Sequence, residues 1–250
     1  MRIAYENLID AATAPTALTE SLLYPIENVQ NGRLAKRWRS TAATAQTVVV
    51  DLGSAQDVDT MAVLGHNLSG SAAVTVEAHT SDSWGSPSFT TSMTYSTGAI
   101  LKFLGSAETY QYWRFTLDDG SNSDGYVEAG RLWLGTYLAI DPASLVSFSV
   151  TKDRDDTVVY GRGRQKFATE GSGWREFSLS FPRTGGTALT AVQTMFDAVG
   201  NHASVIFCNF DSLRTYPIVE PCYCSIDGAI DFQHTRRMQF EWSMTLREDL

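Results

Sequence analysis

Long apolar runs are missing from this sequence. None approaches the roughly 18 residues that a membrane-spanning helix needs, so no membrane span is expected. Cysteine is scarce: Cys208, Cys222 and Cys224 are the only three in 250 residues, too few for a disulfide framework. Stability must therefore come from burial. Charge is thin at 19% Asp, Glu, Lys and Arg, which suits short strands joined by polar turns better than long helices laced with ion pairs. The balance is acidic, with a formal net charge of −9, and this argues against readout of nucleic acid sequence or an anionic membrane as the main partner. The N-terminal MRIAYEN carries no apolar signal-peptide core, so synthesis in a cytosol without export by the usual route is the expectation.

Catalytic signatures are also absent. There is no His-Glu-x-x-His, no Gly-x-Ser-x-Gly elbow, no phosphate loop and no dinucleotide fingerprint. GRGRQK at 161–166 lacks the Gly-Lys-Ser/Thr ending and a following helix. Asp118 and Asp119 are adjacent, but neighbours on a strand point to opposite faces, a poor arrangement for a shared substrate. No enzyme is expected. An EF-hand register over 120–131 would begin on Gly120 and end on Arg131, which fails. Cys222 and Cys224 lack the two to four intervening residues of zinc ligands. No metal and no cofactor are expected.

What the chain does have is alternation. Val74-Val76-Ala78, Tyr112-Arg114-Thr116, Phe177-Leu179-Phe181 and Phe240-Trp242-Met244 read as strands. Val48, Val50 and Leu52 point one way and fit a core, while Val49 and Asp51 point the other. Gly53 and Ser54 then let the chain reverse before the apolar Met61–Leu64. Trp38 and Trp113 are assigned to the core, and Arg39 and Arg114 to carboxylates such as Asp51 or Glu128. Helical spacing is clear once, at Leu189, Val192, Met195, Phe196 and Val199, with Thr187 or Thr190 as the starting cap and Gly200-Asn201 as the stop. A boundary falls between Thr136 and Ser144, at the Asp141-Pro142 turn. The expectation is an all-β chain of two domains, 1–138 and 145–250, the second with a helix near 187–200.

The order of ENVQNGRLAKRWRSTA, QTVVVDLGSAQDVDTMAVLGHN, AAVTVEAHTSD, YQYWRFTLDD and YVEAGRLWLG resembles the galactose-binding-like jelly roll of discoidin-type domains over roughly residues 20–137. That resemblance implies ligand-binding loops at one end of the sandwich, after Tyr24, after Leu64 and around Ser81–Ser88. It offers His66, Asn67, Asp82 and Trp84 as ligand-binding residues. The second half is similar in its order of strand, long loop, strand, helix and returning strands to phage tail-tube and distal-tail proteins. The resemblance implies a structural component of a phage tail tip or baseplate, made in the host cytoplasm and residing in the virion tail. Its expected partners are a homo-oligomeric ring and other phage tail proteins. The glycine-punctuated segment 151–174, with Lys152, Arg154, Arg162, Arg164 and Lys166, is the expected assembly loop. The alternative is a carbohydrate-binding module attaching to a host-surface glycan.

Overall fold

In the computed structural model, described over residues 1–140, 147–209, 221–236 and 239–249, nearly all regular structure is β, as expected. The chain divides into two compact units, Met1–Ala139 with Val205–Tyr223, and Ile140–Ser204 with Cys224–Leu250. The Asp141-Pro142 turn lies outside the described residues.

The first unit holds β1 (Arg2–Ala4), β2 (Thr16–Ala17), β3 (Trp38–Arg39), β4 (Gln46–Leu64), β5 (Ala73–His79), β6 (Phe89–Met93), β7 (Ile100–Asp118), β8 (Glu128–Ala129), β9 (Arg131–Gly135) and β10 (Tyr137–Ala139). It also holds a one-turn helix α1 (Leu8–Ala11). The stretch from Val48 to Leu64 is not a reversing pair of strands. β4 is a single 19-residue strand whose register against β7 shifts between Asp51 and Gln56 and again between Val58 and Thr60. Gly53, at φ 76°, supplies a bend rather than a return, and its N–H donates to Asp51 Oδ1 at 2.8 Å. A bulge of this kind re-aims a strand without ending it.

The bend lets β4 and β7 serve two sheets. Gln46–Asp51 pairs with Tyr112–Leu117 in a sheet that continues to β5 and β6. Thr60–Leu64 pairs on one side with β7 near its start and on the other with β9. The two sheets close over one core. Val48, Val50, Val76, Trp113 and Phe115 come from the first sheet, Met61, Val63, Ile100 and Leu132 from the second, and Trp38 joins them. Leu52, past the regular pairing, packs only at the edge of this core.

The second sheet is buried on both faces, which is why Met61-Ala62-Val63-Leu64 is continuously apolar instead of alternating. Ala62, Leu64 and Trp133 point away from the sandwich core and meet Ala4, Ile206 and Tyr223. Ala4 belongs to β1, which pairs with β10 on one side and with β15 (Ser204–Cys208) on the other.

In the second unit, β11 (Ser147–Arg154) pairs with β14 (Gly173–Thr184), which pairs with β18 (Gln239–Glu248). β17 (Asp231–Arg236) and the end of β16 (Cys222–Ile226) also join β18. A separate ribbon, β12 (Thr157–Tyr160) with β13 (Lys166–Thr169), extends the β11–β14 hairpin. The helix α2 spans Gly186–Val199 and buries Leu189, Val192, Met195 and Val199, the apolar face expected from the spacing; Phe196 is half-buried. Its N-cap is Gly185 and not a threonine. Thr190 already sits a full turn into the helix, where its hydroxyl donates to the Gly186 carbonyl, so it cannot cap. Gly200, at φ 52°, ends the helix as expected and donates its N–H to Phe196 O.

Candidate functional site

Four segments of the first unit, three loops and the short strand β3, meet at one end of the sandwich. Tyr24 and Ser21 form a tight bridge, with the Tyr24 N–H donating to Ser21 O at 2.9 Å, and this lifts Leu22 and Leu23 into solvent at 99% and 83% exposure. The turn is held from beneath by Trp38, whose indole N–H donates to Thr19 O at 3.2 Å. β3 runs beside it, with the Arg39 N–H on Tyr24 O and the Ser21 N–H on Arg39 O. The third segment follows β4: Asn67 donates to Tyr126 O and accepts from the Glu128 N–H at 2.7 Å. The fourth, 119–127, is pinned by Asp119, which accepts from the N–H and hydroxyl of Ser69 and from Asn122. Burial opposes ionisation of Asp119, yet these donors outweigh it and hold the carboxyl below its ordinary range.

The side chains that emerge there are Tyr24, Arg39 and Tyr126. The guanidinium carbon of Arg39 lies 4.3 Å from the centre of the Tyr24 ring and 4.1 Å from that of Tyr126. Glu128, 5% exposed, accepts from Arg39 Nε at 2.6 Å and from Arg37 Nη1 at 3.1 Å. The bond from Glu128 pushes the Arg39 pKa further up, so the planar cation is permanent, oriented and flanked by two aromatic faces.

The expected ligand residues are not brought together. His66 and Asn67 belong to this end, but their polar atoms are engaged within the loops. His66 Nδ1 accepts from the Leu68 N–H and Nε2 contacts Ser96 O at 3.1 Å, and burial lowers the His66 pKa. Asp82 and Trp84 sit at the other end. Ala73 pairs with Asp118, beside the loop cluster, whereas His79 pairs with Tyr112, six residues or roughly 20 Å along the strand. Trp84 donates its indole N–H to Asp82 Oδ1 at 2.7 Å, and Arg114 lies 4.6 Å from its ring centre. Arg114 is in turn bonded through Nε to Glu77 at 2.7 Å. Both ends thus carry an arginine held by a glutamate and placed over an aromatic ring, but only the first has two rings and three converging loops. Tyr24, Tyr126 and Glu128 converge from positions about a hundred residues apart, and the Arg37-Trp38-Arg39-Ser40 order gives no local sign of it.

Among the residues expected to serve assembly, Lys152 and Arg154 lie on β11, Arg162 and Arg164 in the turn between β12 and β13, and Lys166 on β13 opposite Tyr160. All five are exposed. Arg154 is paired with Asp156 at 3.2 Å.

No protein-family model matches the sequence, and no curated protein does. Among solved structures, the chain is similar to chitosan-binding module 1 of a chitosanase/glucanase from Paenibacillus sp. IK-5, at 21% identity over 52% of this chain and 99% of that one, with a TM-score of 0.41. It is similar to the family 32 carbohydrate-binding module of C. perfringens NanJ, solved with galactose, at 14% identity over 55% and 100%, TM-score 0.42. A fucose-binding module of Streptococcus pneumoniae, SpX-3, is 12% identical over 53% and 99%, TM-score 0.42. At such identities the side chains of a binding site do not carry over from those structures to this chain.

Proposed function

We propose that the chain is a glycan-binding module whose site is the loop end around Tyr24, Arg39 and Tyr126, with a binding role and no catalysis. The observation that carries this reading is the arginine clamped between two tyrosine rings and fixed by a buried glutamate. Sugar recognition needs an aromatic face for the apolar side of the ring and planar polar groups for its hydroxyls, and both stand here side by side in a pre-ordered arrangement. The exposed Leu22 and Leu23 extend the apolar rim. With a net charge of −9, neutral or cationic sugars suit the chain better than sulfated or acidic ones.

The test is a glycan array followed by calorimetry. Arg39→Ala and Tyr126→Ala are expected to weaken binding by about tenfold or more, the scale of one lost stacking contact, while Trp84→Ala leaves it unchanged. Loss in Trp84→Ala alone would move the site to the opposite end; no binding to any glycan would end the reading. A second reading, a structural part of a phage tail tip or baseplate residing in the virion, is favoured by the exposed β12–β13 arm. The solved structures named above give it no support.

A further inference from the structure

We infer that the β12–β13 arm is a self-association surface, and that its tip docks on an acidic surface of a second copy of this chain. The inference rests on the arm alone and stands apart from the glycan reading.

The arm begins where the β11–β14 hairpin outruns its third strand. β14 pairs with β18 only from Glu176 onward, yet the pairing with β11 continues to Arg154 and Gly173. Past that point the hairpin turns a corner at Asp155 and Gly171. The Asp155 N–H donates to Ser172 O, and the Gly171 N–H donates to Asp156 Oδ1 at 2.9 Å. A Cβ on Gly171 would lie 2.2 Å from the Asp155 carbonyl oxygen, so the close approach requires glycine. The break between the two ribbons is therefore held by these two hydrogen bonds and by the glycine.

That ribbon buries nothing of its own. Every residue of β12 and β13 is exposed, including Val158 at 41%, Val159 at 58%, Tyr160 at 67% and Phe167 at 57%. Val159 lies opposite Phe167 on one face, and Val158 opposite Ala168 on the other, so both faces present apolar surface. An isolated two-stranded ribbon is marginal in water. Its Thr-Val-Val-Tyr strand also has no charge or proline to guard the outer edge. Such a surface calls for a covering partner.

Charge selects the partner. Residues 157–169 hold Arg162, Arg164 and Lys166 and no acid, within a chain of net charge −9. The rest of each molecule is therefore more acidic than the whole, and a basic, apolar tip is complementary to it. If each tip docks on the body of another copy, a reciprocal exchange closes a two-fold dimer, and a head-to-tail contact closes into a ring or propagates as a filament.

Sedimentation equilibrium of the full chain over a concentration series, at low and at high salt, tests this. Association that weakens with salt is expected in the native protein. Val159→Asp with Phe167→Asp, or reversal of the three tip cations to Glu, is expected to weaken it by roughly tenfold or more. These positions are exposed, and unchanged circular dichroism would verify that the variants fold. A single species of monomer mass at every concentration overturns the inference, and so does association that the tip variants leave intact. Association strengthened by salt overturns the choice of an acidic partner surface.

Discussion

The guanidinium of Arg39 lies over the ring of Tyr126, 4.1 Å from its centre, and Glu128 fixes it there from the opposite strand of the β3–β8 pair, where Arg39 and Glu128 are directly opposed. Glu128 is the buried member of this group, while Arg37 is 43% exposed and Arg39 29%. Removing the negative charge leaves two cations without their acceptor, whereas removing Arg37 takes away only a water-screened partner. Glu128→Gln is expected to lower the melting temperature by several degrees and Arg37→Ala by clearly less. Melting curves of the two variants under identical conditions check this; equal shifts would assign the stabilisation to the outer pair.

His66 gives the first unit a pH dependence. Burial lowers its pKa from the ordinary 6.5, because the charged ring loses its hydration. The unfolded chain then binds the proton before the folded chain does. The His66 contribution is complete above the unfolded value, and it is lost as pH falls from there through the folded value. Thermal melts between about pH 7.5 and pH 5 should show stability falling with acidification. His66→Gln should flatten that part of the slope, and an unchanged slope in the variant would refute the assignment.

Burial pushes the Cys208 thiol up to about 11, and Cys208, Cys222 and Cys224 are all buried and form no disulfide. Thiolate is the reactive form, so the native protein should resist a thiol-labelling reagent near pH 8. All three cysteines should react once denaturant opens the chain. Rapid native labelling would contradict the buried placement.

Alternation and amphipathic spacing made much of the fold legible. They marked Trp38 and Trp113 as core, found α2, and linked Arg39 with Glu128 as one option. What stayed hidden depends on register. Arg114 pairs with Glu77 because the two are directly opposite across β5 and β7, and nothing local to either residue says so. Gly53-Ser54 looks like a reversal because a glycine after an Asp normally turns the chain, and only the partner strand, bending with it, makes it a passage between sheets. The site was least legible of all. Loops named as one end by resemblance fall at two ends once β5 is laid against β7, and the tyrosines that flank Arg39 lie far apart in the chain.

The continuity of β4 and β7 through both sheets has a mechanical meaning. A sandwich made of separate strands can shed one sheet while the other persists. Here the same two strands are shared, with Val48 and Met61 on one backbone and Ile100 and Phe115 on the other, all four in one core. Peeling either sheet means unzipping a ladder that also holds the other. The sandwich is therefore stitched against partial opening, and it should yield to heat or force in one step.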